Sequence, residues 1–359
     1  MHKKFLLAAL AQAQMGRGIC APNPSVGAVA VQNGTIIAQS YHRGAGTAHA
    51  EQLLLEQIPN QTNISLYVTL EPCNHWGRTP PCVDAIRAHG GISEVIYAYA
   101  DPNPIVAKNN STQRLQADGI RVLHHPLPEI DAFYVSYAYW TQFKKPWVTV
   151  KMAQSLDGKI GYTNRRVHLS NSLCEKFTHE HRAQADVLLT TARTVNSDNP
   201  QMNVRLDNEI TSKPIAILDT RLTLKPDARI FTTARQCHIY HAHGHMINYP
   251  NSTFHQVNQL DGYLDLVKIL HHLGQTGYHD VWIEAGGSLF SALHKAKLVH
   301  RTYLYIVPQI LGEGAISAYQ QEDLFTGAHR ISWQAMEDNI IACIDWNHRN
   351  CSALHEVAR

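Results

Sequence analysis

The sequence predicts a two-domain α/β protein, and three observations lead there. At 359 residues the chain is longer than one average domain and long enough for two separate cores. Strand and helix patterns alternate through the first half, as in a layered α/β unit. After the short basic stretch Lys144-Lys145-Pro146 the alternation starts again, with no long flexible linker and no internal repeat relating the halves. The boundary therefore divides residues 1–144 from residues 146–359.

The chain opens on Lys3-Lys4 and an apolar run from Phe5 to Ala11, then Ala11-Gln12-Ala13, which imitates a signal peptide. Phe5, Ala9 and Ala13 also share one face at helical spacing, and Gly16 and Gly18 stand where a helix should stop. An amphipathic first helix accounts for the same residues. Val26 to Val31 and Ile36 to Tyr41 read as strands around Asn33-Gly34, a strong hairpin signal. Thr47 is placed to cap a helix that carries His49 and Glu51 in its first turn and ends near Glu56. A strand from Ser65 to Leu70 leads to Cys73, and Pro80-Pro81 precedes a helix begun by Cys82 and ending at His89. Strand Glu94 to Ala100, helix Ser111 to Ala117, strand Ile120 to His124 and an aromatic-rich helix Glu129 to Phe143 complete the unit.

His49, Cys73 and Cys82 offer one imidazole and two thiolates, so a tetrahedral zinc held by them keeps its fourth position for water. The metal lowers the pKa of that water, and Glu51, a carboxylate that is not a ligand, can shuttle protons from it to a leaving amine. Cys82 at a helix N-terminus sits where the dipole favours a thiolate. Residues two apart on a helix do not share a face, so the His-x-Glu spacing carries no weight alone. Weight comes from its combination with Pro72-Cys73 and a second cysteine, because zinc deaminases pair His-x-Glu with a downstream Pro-Cys-x-x-Cys run. Here eight residues, not two, separate the cysteines. A structural zinc would need a fourth protein ligand, for which His75 is the near candidate.

Composition narrows the class. With 31 basic and 29 acidic residues the chain is close to neutral, which argues against a nucleic-acid or membrane electrostatic footprint. No run approaches membrane-spanning length. Seven cysteines without a short-range framework fit a reducing, cytoplasmic setting, and Cys20, Cys174, Cys237, Cys343 and Cys351 read as core or surface thiols. Most of the 23 histidines stand singly on polar stretches.

The second half reads as strand Val148 to Ala153, helix Ser172 to Gln184, and strands Asp186 to Thr191, Pro214 to Asp219, Cys237 to His241, Val281 to Glu284 and Thr302 to Val307. Helices fall at Leu260 to Leu273 and Leu289 to Leu298, so a largely parallel sheet is expected. Glu284-Ala285-Gly286-Gly287-Ser288 joins a strand to a helix, where a glycine pair lets a phosphate approach backbone amides, although such a turn is also a common packing device. It is not a Gly-x-Gly-x-x-Gly fingerprint. Arg182, Arg193 and Arg205 could present guanidinium forks to phosphates, or be surface charges.

Pro72-Cys73-Asn74-His75-Trp76-Gly77-Arg78-Thr79-Pro80-Pro81-Cys82 closely resembles the deaminase motif of the bifunctional riboflavin-biosynthesis deaminase/reductase family, RibD. Pro22-Asn23-Pro24-Ser25-Val26-Gly27, Tyr41-His42 and Asp101-Pro102-Asn103-Pro104 extend the resemblance. In the second half Lys151-Met152-Ala153-Gln154-Ser155-Leu156-Asp157-Gly158, His181-Arg182-Ala183, Thr194, Ser197-Asp198-Asn199-Pro200 and Glu284-Ala285-Gly286 carry it further. The resemblance implies an N-terminal cytidine-deaminase-like α/β/α domain and a C-terminal dihydrofolate-reductase-like α/β domain. It makes His49, Cys73 and Cys82 the Zn2+ ligands and Glu51 the catalytic proton shuttle, with Asn23, His42, His75, Arg78 and Asn103 at the pyrimidine and its ribose phosphate. From the residues alone Asn23 is also a turn residue, His42 and His75 surface histidines, and Arg78 a solvated charge.

For the second domain the resemblance implies NADPH near Ala153, His168, Thr194, Asp198, Gly286, Gly287, Ser288 and Leu289. Lys151, Arg166, Arg182, Met202, Arg205 and Glu284 would line the ribose-phosphate pocket. Val167-His168 stands where the family pattern leads one to expect a tryptophan. The expected activity is zinc-dependent deamination of a phosphorylated diaminopyrimidinone followed by NADPH reduction of its ribosyl group, in a homo-oligomer, dimer or tetramer, assembled through the reductase domain. The rival readings are a nucleoside or RNA deaminase with a recognition domain, and a zinc-stabilised binding module without turnover.

Overall fold

The computed structural model describes residues 1–77, 79–107, 110–163, 165–243, 248–260, 262–319, 327 and 329–346. Two units are resolved by their internal contacts, Met1–Lys144 and Lys145–Arg359.

The first unit runs α1 (His2–Gly16), β1 (Gly27–Gln32), β2 (Thr35–Tyr41), α2 (Ala50–Leu55), β3 (Ile64–Leu70), α3 (Cys82–His89), β4 (Ile92–Tyr99), α4 (Pro104–Ala107), α5 (Ser111–Ala117), β5 (Arg121–His124) and α6 (Pro128–Phe143). Its sheet has the order β2-β1-β3-β4-β5, with β1 antiparallel to both neighbours and β3, β4 and β5 parallel. Asn33 and Gly34 both adopt positive φ, 50° and 77°, as a two-residue hairpin of this twist requires. Strand alternation sends Ala28 and Ala30 into a core with Leu54 of α2, Val83 and Ile86 of α3 and Leu115 of α5. Val29 and Val31 point the other way, to Phe5 and Leu6 of α1 and Ile130 and Tyr134 of α6. The result is three layers, helices on both faces of one sheet. The apolar N-terminal run is the buried stripe of α1, which lies so close to β1 that a Cβ on Gly27 would strike the Ala9 carbonyl and the Ala13 amide.

Thr47 does not cap α2. Its hydroxyl donates to the Gly44 carbonyl at 2.8 Å, and His49 itself is the N-cap, extended at φ −70°, ψ 163°. His49 therefore stands outside the helix, and the helical phase that would separate it from Glu51 does not apply.

The second unit runs β6 (Trp147–Ser155), β7 (Lys159–Gly161), α7 (Ser172–Gln184), β8 (Val187–Thr191), α8 (Ala192–Asp198), β9 (Val204–Leu206), β10 (Glu209–Thr211), β11 (Pro214–Leu218), α9 (Ile230–Thr233) and β12 (Gln236–His241). It continues with β13 (Ser252–Gln256), β14 (Gln259–Leu260), β15 (Tyr263–Leu264), α10 (Leu266–Gln275), β16 (Asp280–Glu284), α11 (Gly287–Lys295), β17 (Arg301–Val307), β18 (Ile316–Ser317), β19 (His329–Met336) and β20 (Asn339–Trp346). The main sheet has the order β13-β12-β11-β8-β16-β6-β17-β20-β19. It is parallel from β13 to β17, and β20 and β19 add an antiparallel edge. The helix expected from Leu260 starts only at Leu266, because the Asp265 carboxylate caps it by accepting the Lys268 amide at 3.1 Å. Ligands of such sheets bind outside the carboxyl ends of the strands, and here β6, β8, β11 and β16 end around one cavity.

Candidate active sites

The first site forms where the N-termini of α2 and α3 meet the loop after β3. His49 Nδ1 is 3.2 Å from Cys82 Sγ and 3.5 Å from Cys73 Sγ. The three ligand atoms lie within 4.8 Å of one another, and among the described residues no fourth His, Cys, Asp or Glu joins them. One imidazole and two sulfurs so disposed suit a tetrahedral zinc with one open position, and do not suit a closed structural site. The Cys82 amide, at the start of α3, donates to Cys73 Sγ at 3.4 Å, so a helix N-terminus stabilises negative charge on that sulfur. Through its hydrogen bond with Cys82, then through His49, the Cys73 thiol is held well below its ordinary pKa. Gln52, missed in the sequence, accepts the His49 amide at 3.2 Å and donates to the Pro80 carbonyl at 3.0 Å, clamping α2 to the cysteine loop.

Glu51 is buried at 3% exposure beside this group; burial and then the Cys73 charge push its carboxyl up to about 7. His42 and Asn23 form a pair, Nε2 to Nδ2 at 3.2 Å, with His42 Nδ1 anchored 3.1 Å from the Ala48 carbonyl. The His42 and His49 rings meet edge to face at 5.3 Å. His75 keeps a buried Nδ1 with no hydrogen-bond partner among the described residues. Arg78 lies outside the described residues, as does Cys351. Asn103 donates its amide to Asp101 Oδ1 at 2.9 Å, and the buried Asp101 also accepts the Tyr137 hydroxyl at 3.1 Å. Arg114 of α5, also missed, donates to the Asn74 side-chain oxygen and, at 2.9 Å, to Asp84 of α3. A guanidinium forty residues downstream thus holds the loop between the two cysteines; no local pattern signals it.

The second site is a cavity of about 1180 Å³ in the second unit. That exceeds what one drug-sized ligand fills. Lys151, Ala153, Arg166, His168, Arg182, Thr194, Asp198, Met202, Arg205, Glu284 and the turn from Gly286 to Leu289 all reach its wall. Glu284, at the end of β16, and Arg182, on α7, form a two-armed pair at 2.6 and 2.9 Å, and Arg182 Nη1 also donates to the Asn203 carbonyl at 2.9 Å. Burial pushes the Glu284 carboxyl up, but Arg182 and Lys151 outweigh it and hold it at about 2. Burial lowers the Lys151 pKa, partly offset by Glu284. Arg205 bonds to Asn203 Oδ1 at 2.8 Å, and its amide donates to His179 Nδ1 at 3.1 Å. His168 is exposed, with Nε2 3.2 Å from Glu175. The two glycines differ: open space surrounds Gly286, whereas a Cβ on Gly287 would come 2.7 Å from the Ala318 carbonyl. Gly287 is the packing glycine, and Gly286 leaves room for a ligand.

Arg193, Arg221 and Arg229 add cationic groups to the same wall. Arg221 and Arg229 were not anticipated, although Asp219-Thr220-Arg221 directly follows an apolar strand and so sits at a strand's carboxyl end. Among the described residues no helix is long and apolar enough to cross a membrane.

Comparison with known proteins finds relatives of both halves of the chain. Residues 1–99 match the cytidine and deoxycytidylate deaminase zinc-binding region, and residues 146–341 match the RibD C-terminal domain. The riboflavin biosynthesis protein RibD of Escherichia coli is 33% identical over 328 residues, covering 87% of this chain and 89% of its own. That of Aquifex aeolicus is 33% identical, covering 88% and 89%. A Thermotoga maritima structure, described as a diaminohydroxyphosphoribosylaminopyrimidine deaminase/5-amino-6-(5-phosphoribosylamino)uracil reductase, superposes with a TM-score of 0.85 at 27% identity, covering 96% of this chain and 98% of its own. Acinetobacter baumannii RibD superposes at 0.83 with 26% identity over 97% and 99%. The chain belongs to the RibD family of bifunctional riboflavin-biosynthesis enzymes, with a zinc-binding deaminase domain and a reductase domain.

Proposed function

We propose that residues 1–144 deaminate 2,5-diamino-6-ribosylamino-4(3H)-pyrimidinone 5′-phosphate to 5-amino-6-(5-phosphoribosylamino)uracil. Residues 146–359 then reduce its ribosyl group to the ribityl product. The observation that carries the first step is the convergence of His49, Cys73 and Cys82 with a buried, non-ligating Glu51. His49, Cys73 and Cys82 would hold zinc, which when bound supplies an acidified water as nucleophile. Glu51 moves the proton from that water to the departing amino group, which leaves as ammonia. Asn23, His42, His75, Arg78 and Asn103 orient the pyrimidine and its ribose phosphate.

Ala153, His168, Thr194, Asp198 and the Gly286 to Leu289 turn would hold NADPH, which when bound supplies the hydride. Around the opened sugar, Lys151 and Glu284 are the polar candidates for the reacting centre, and Arg166, Arg182, Met202 and Arg205 complete the wall of the pocket. Glu284 is fixed by Arg182, so it orients the sugar as a carboxylate. The half-buried Lys151, whose pKa desolvation lowers, can deliver a proton to the carbonyl oxygen that becomes the new hydroxyl. We further propose a cytoplasmic enzyme, active as a homo-oligomer through the reductase domain, which takes a small phosphorylated pyrimidine and neither nucleic acid nor membrane as partner. Purified zinc-loaded protein given the diaminopyrimidinone phosphate should release ammonia without NADPH, and should consume NADPH when given the deaminated compound. Ammonia release without any NADPH consumption would overturn the second step, and the reverse pattern the first.

A further inference from the structure

β12 and its edge neighbour β13 run parallel, with His238 opposite Thr253 and Tyr240 opposite His255. Strand alternation puts all four side chains on one face of the sheet. His238 Nδ1 lies 3.3 Å from His255 Nε2, and Thr253 Oγ1 is 3.1 Å from the first and 3.2 Å from the second. Two hydrogen bonds in a chain would account for two of these edges; the third closes a nearly equilateral triangle of lone-pair atoms. Such a triangle has the dimensions of one face of a coordination tetrahedron, because nitrogen or oxygen ligands at zinc distances stand about 3.3–3.4 Å apart, and Thr253 Oγ1 also lies 3.5 Å from the Cys237 carbonyl. The spacing resembles that between the imidazole and the two sulfurs of the first site, 3.2 and 3.5 Å.

The surroundings suit a metal as well. The other nitrogen of His238, Nε2, is 3.2 Å from the Tyr278 hydroxyl, an outer partner of the kind that fixes the orientation of a ligating imidazole. His272 of α10 packs against His255 with ring centroids 4.3 Å apart, and its own Nδ1 is 2.9 Å from the Tyr240 hydroxyl. His238 is buried, His255 half-buried and Thr253 exposed, so the triangle opens towards solvent on its Thr253 side. None of the three lines the reductase cavity.

We propose that His238, His255 and Thr253 form a second metal site, for a divalent late transition ion of the Zn2+ type, that ties the edge strand β13 to β12. Imidazole nitrogens favour such ions over Mg2+ or Ca2+. With a neutral hydroxyl in place of a thiolate, the site binds more weakly than His49, Cys73 and Cys82, and water completes its coordination.

Equilibrium dialysis of the full chain against buffered micromolar free Zn2+ at neutral pH tests this, with metal counted per chain. The wild type should hold two zinc ions, one released by a mild chelator. His255→Ala should hold one and release ammonia at the wild-type rate; Cys73→Ala should also hold one, the weak one, and release none. Thr253→Val, a change at an exposed position, should weaken the second site severalfold and serves as the control should His255→Ala fold poorly. Added Zn2+ should raise the melting temperature of wild-type protein more than that of His255→Ala. One zinc per chain in the wild type, or a second zinc retained unchanged by both His255→Ala and Thr253→Val, would overturn the proposal.

Discussion

The deaminase centre and the reductase cavity are built in opposite ways. The first gathers its metal-binding atoms from two short stretches, His49 to Glu51 and Cys73 to Cys82, at the N-termini of two adjacent helices. The second draws on β6, α7, β8, α8, β16 and α11, residues more than a hundred positions apart, brought together by the carboxyl ends of parallel strands. The difference follows from what each reaction needs. A metal that supplies the chemistry needs few ligands, close together. An organic cofactor and a sugar phosphate need a long wall, and only a complete sheet provides one.

If that contrast is right, single changes should break the two sites in different ways. The largest effect belongs to the cysteines: Cys82→Ala should reduce ammonia release to background and remove the tightly held zinc, while NADPH oxidation with the deaminated compound continues. Loss of both activities would show that the sites are not separable. Next comes Arg182→Ala, which leaves the half-buried Glu284 without its guanidinium partner, still held by Trp282 Nε1 at 3.1 Å and the nearby Lys151. Breaking a fully buried pair costs about 3–5 kcal/mol; with Glu284 partly exposed and still held by Trp282, denaturant unfolding should shift by less than that, and NADPH oxidation should fail. Ammonia release should persist.

A pH measurement sharpens the same point. Glu284 is held at about 2 in the folded chain, below the ordinary glutamate value of about 4.3. Its pairing therefore stabilises the fold fully above about 4.3 and is lost as pH falls towards 2. The stability gap between wild type and Arg182→Ala should be widest at neutral pH and should narrow as pH falls towards 2. The smallest effect is expected from Arg114→Ala, since exposed ion pairs contribute about 0–1 kcal/mol. Loosening Asn74 should raise the KM for the diaminopyrimidinone severalfold, with kcat and zinc content nearly unchanged. A fall in zinc content would mean that Arg114 holds the ligands and not the substrate loop.

The same contrast explains what was legible in the sequence. Strand and helix patterns found most elements of the first unit, but its layers came from the family resemblance, because a strand such as β1 is apolar on both faces, Ala28 towards one helical layer and Val29 towards the other. The zinc-binding stretch stood out because its residue types are rare in combination. The His-x-Glu spacing made sense only in the structure, where His49 leaves the helix as its N-cap. In the second unit the parallel strands read as apolar runs, but the β19–β20 hairpin did not, since β19 is exposed along nearly its whole length and has no buried face to set a period. The Arg182–Glu284 pair, Gln52 and Arg114 act across the fold, and no local spacing encodes them.

The most direct test of the account is Glu51→Gln, nearly isosteric and unable to carry the proton. The protein should fold, keep its tightly held zinc and oxidise NADPH with the deaminated compound at the wild-type rate, while ammonia release falls by about 10²–10⁴-fold. Ammonia release at the wild-type rate from a folded, zinc-loaded Glu51→Gln protein would contradict the assignment of Glu51, and with it the mechanism built on that centre.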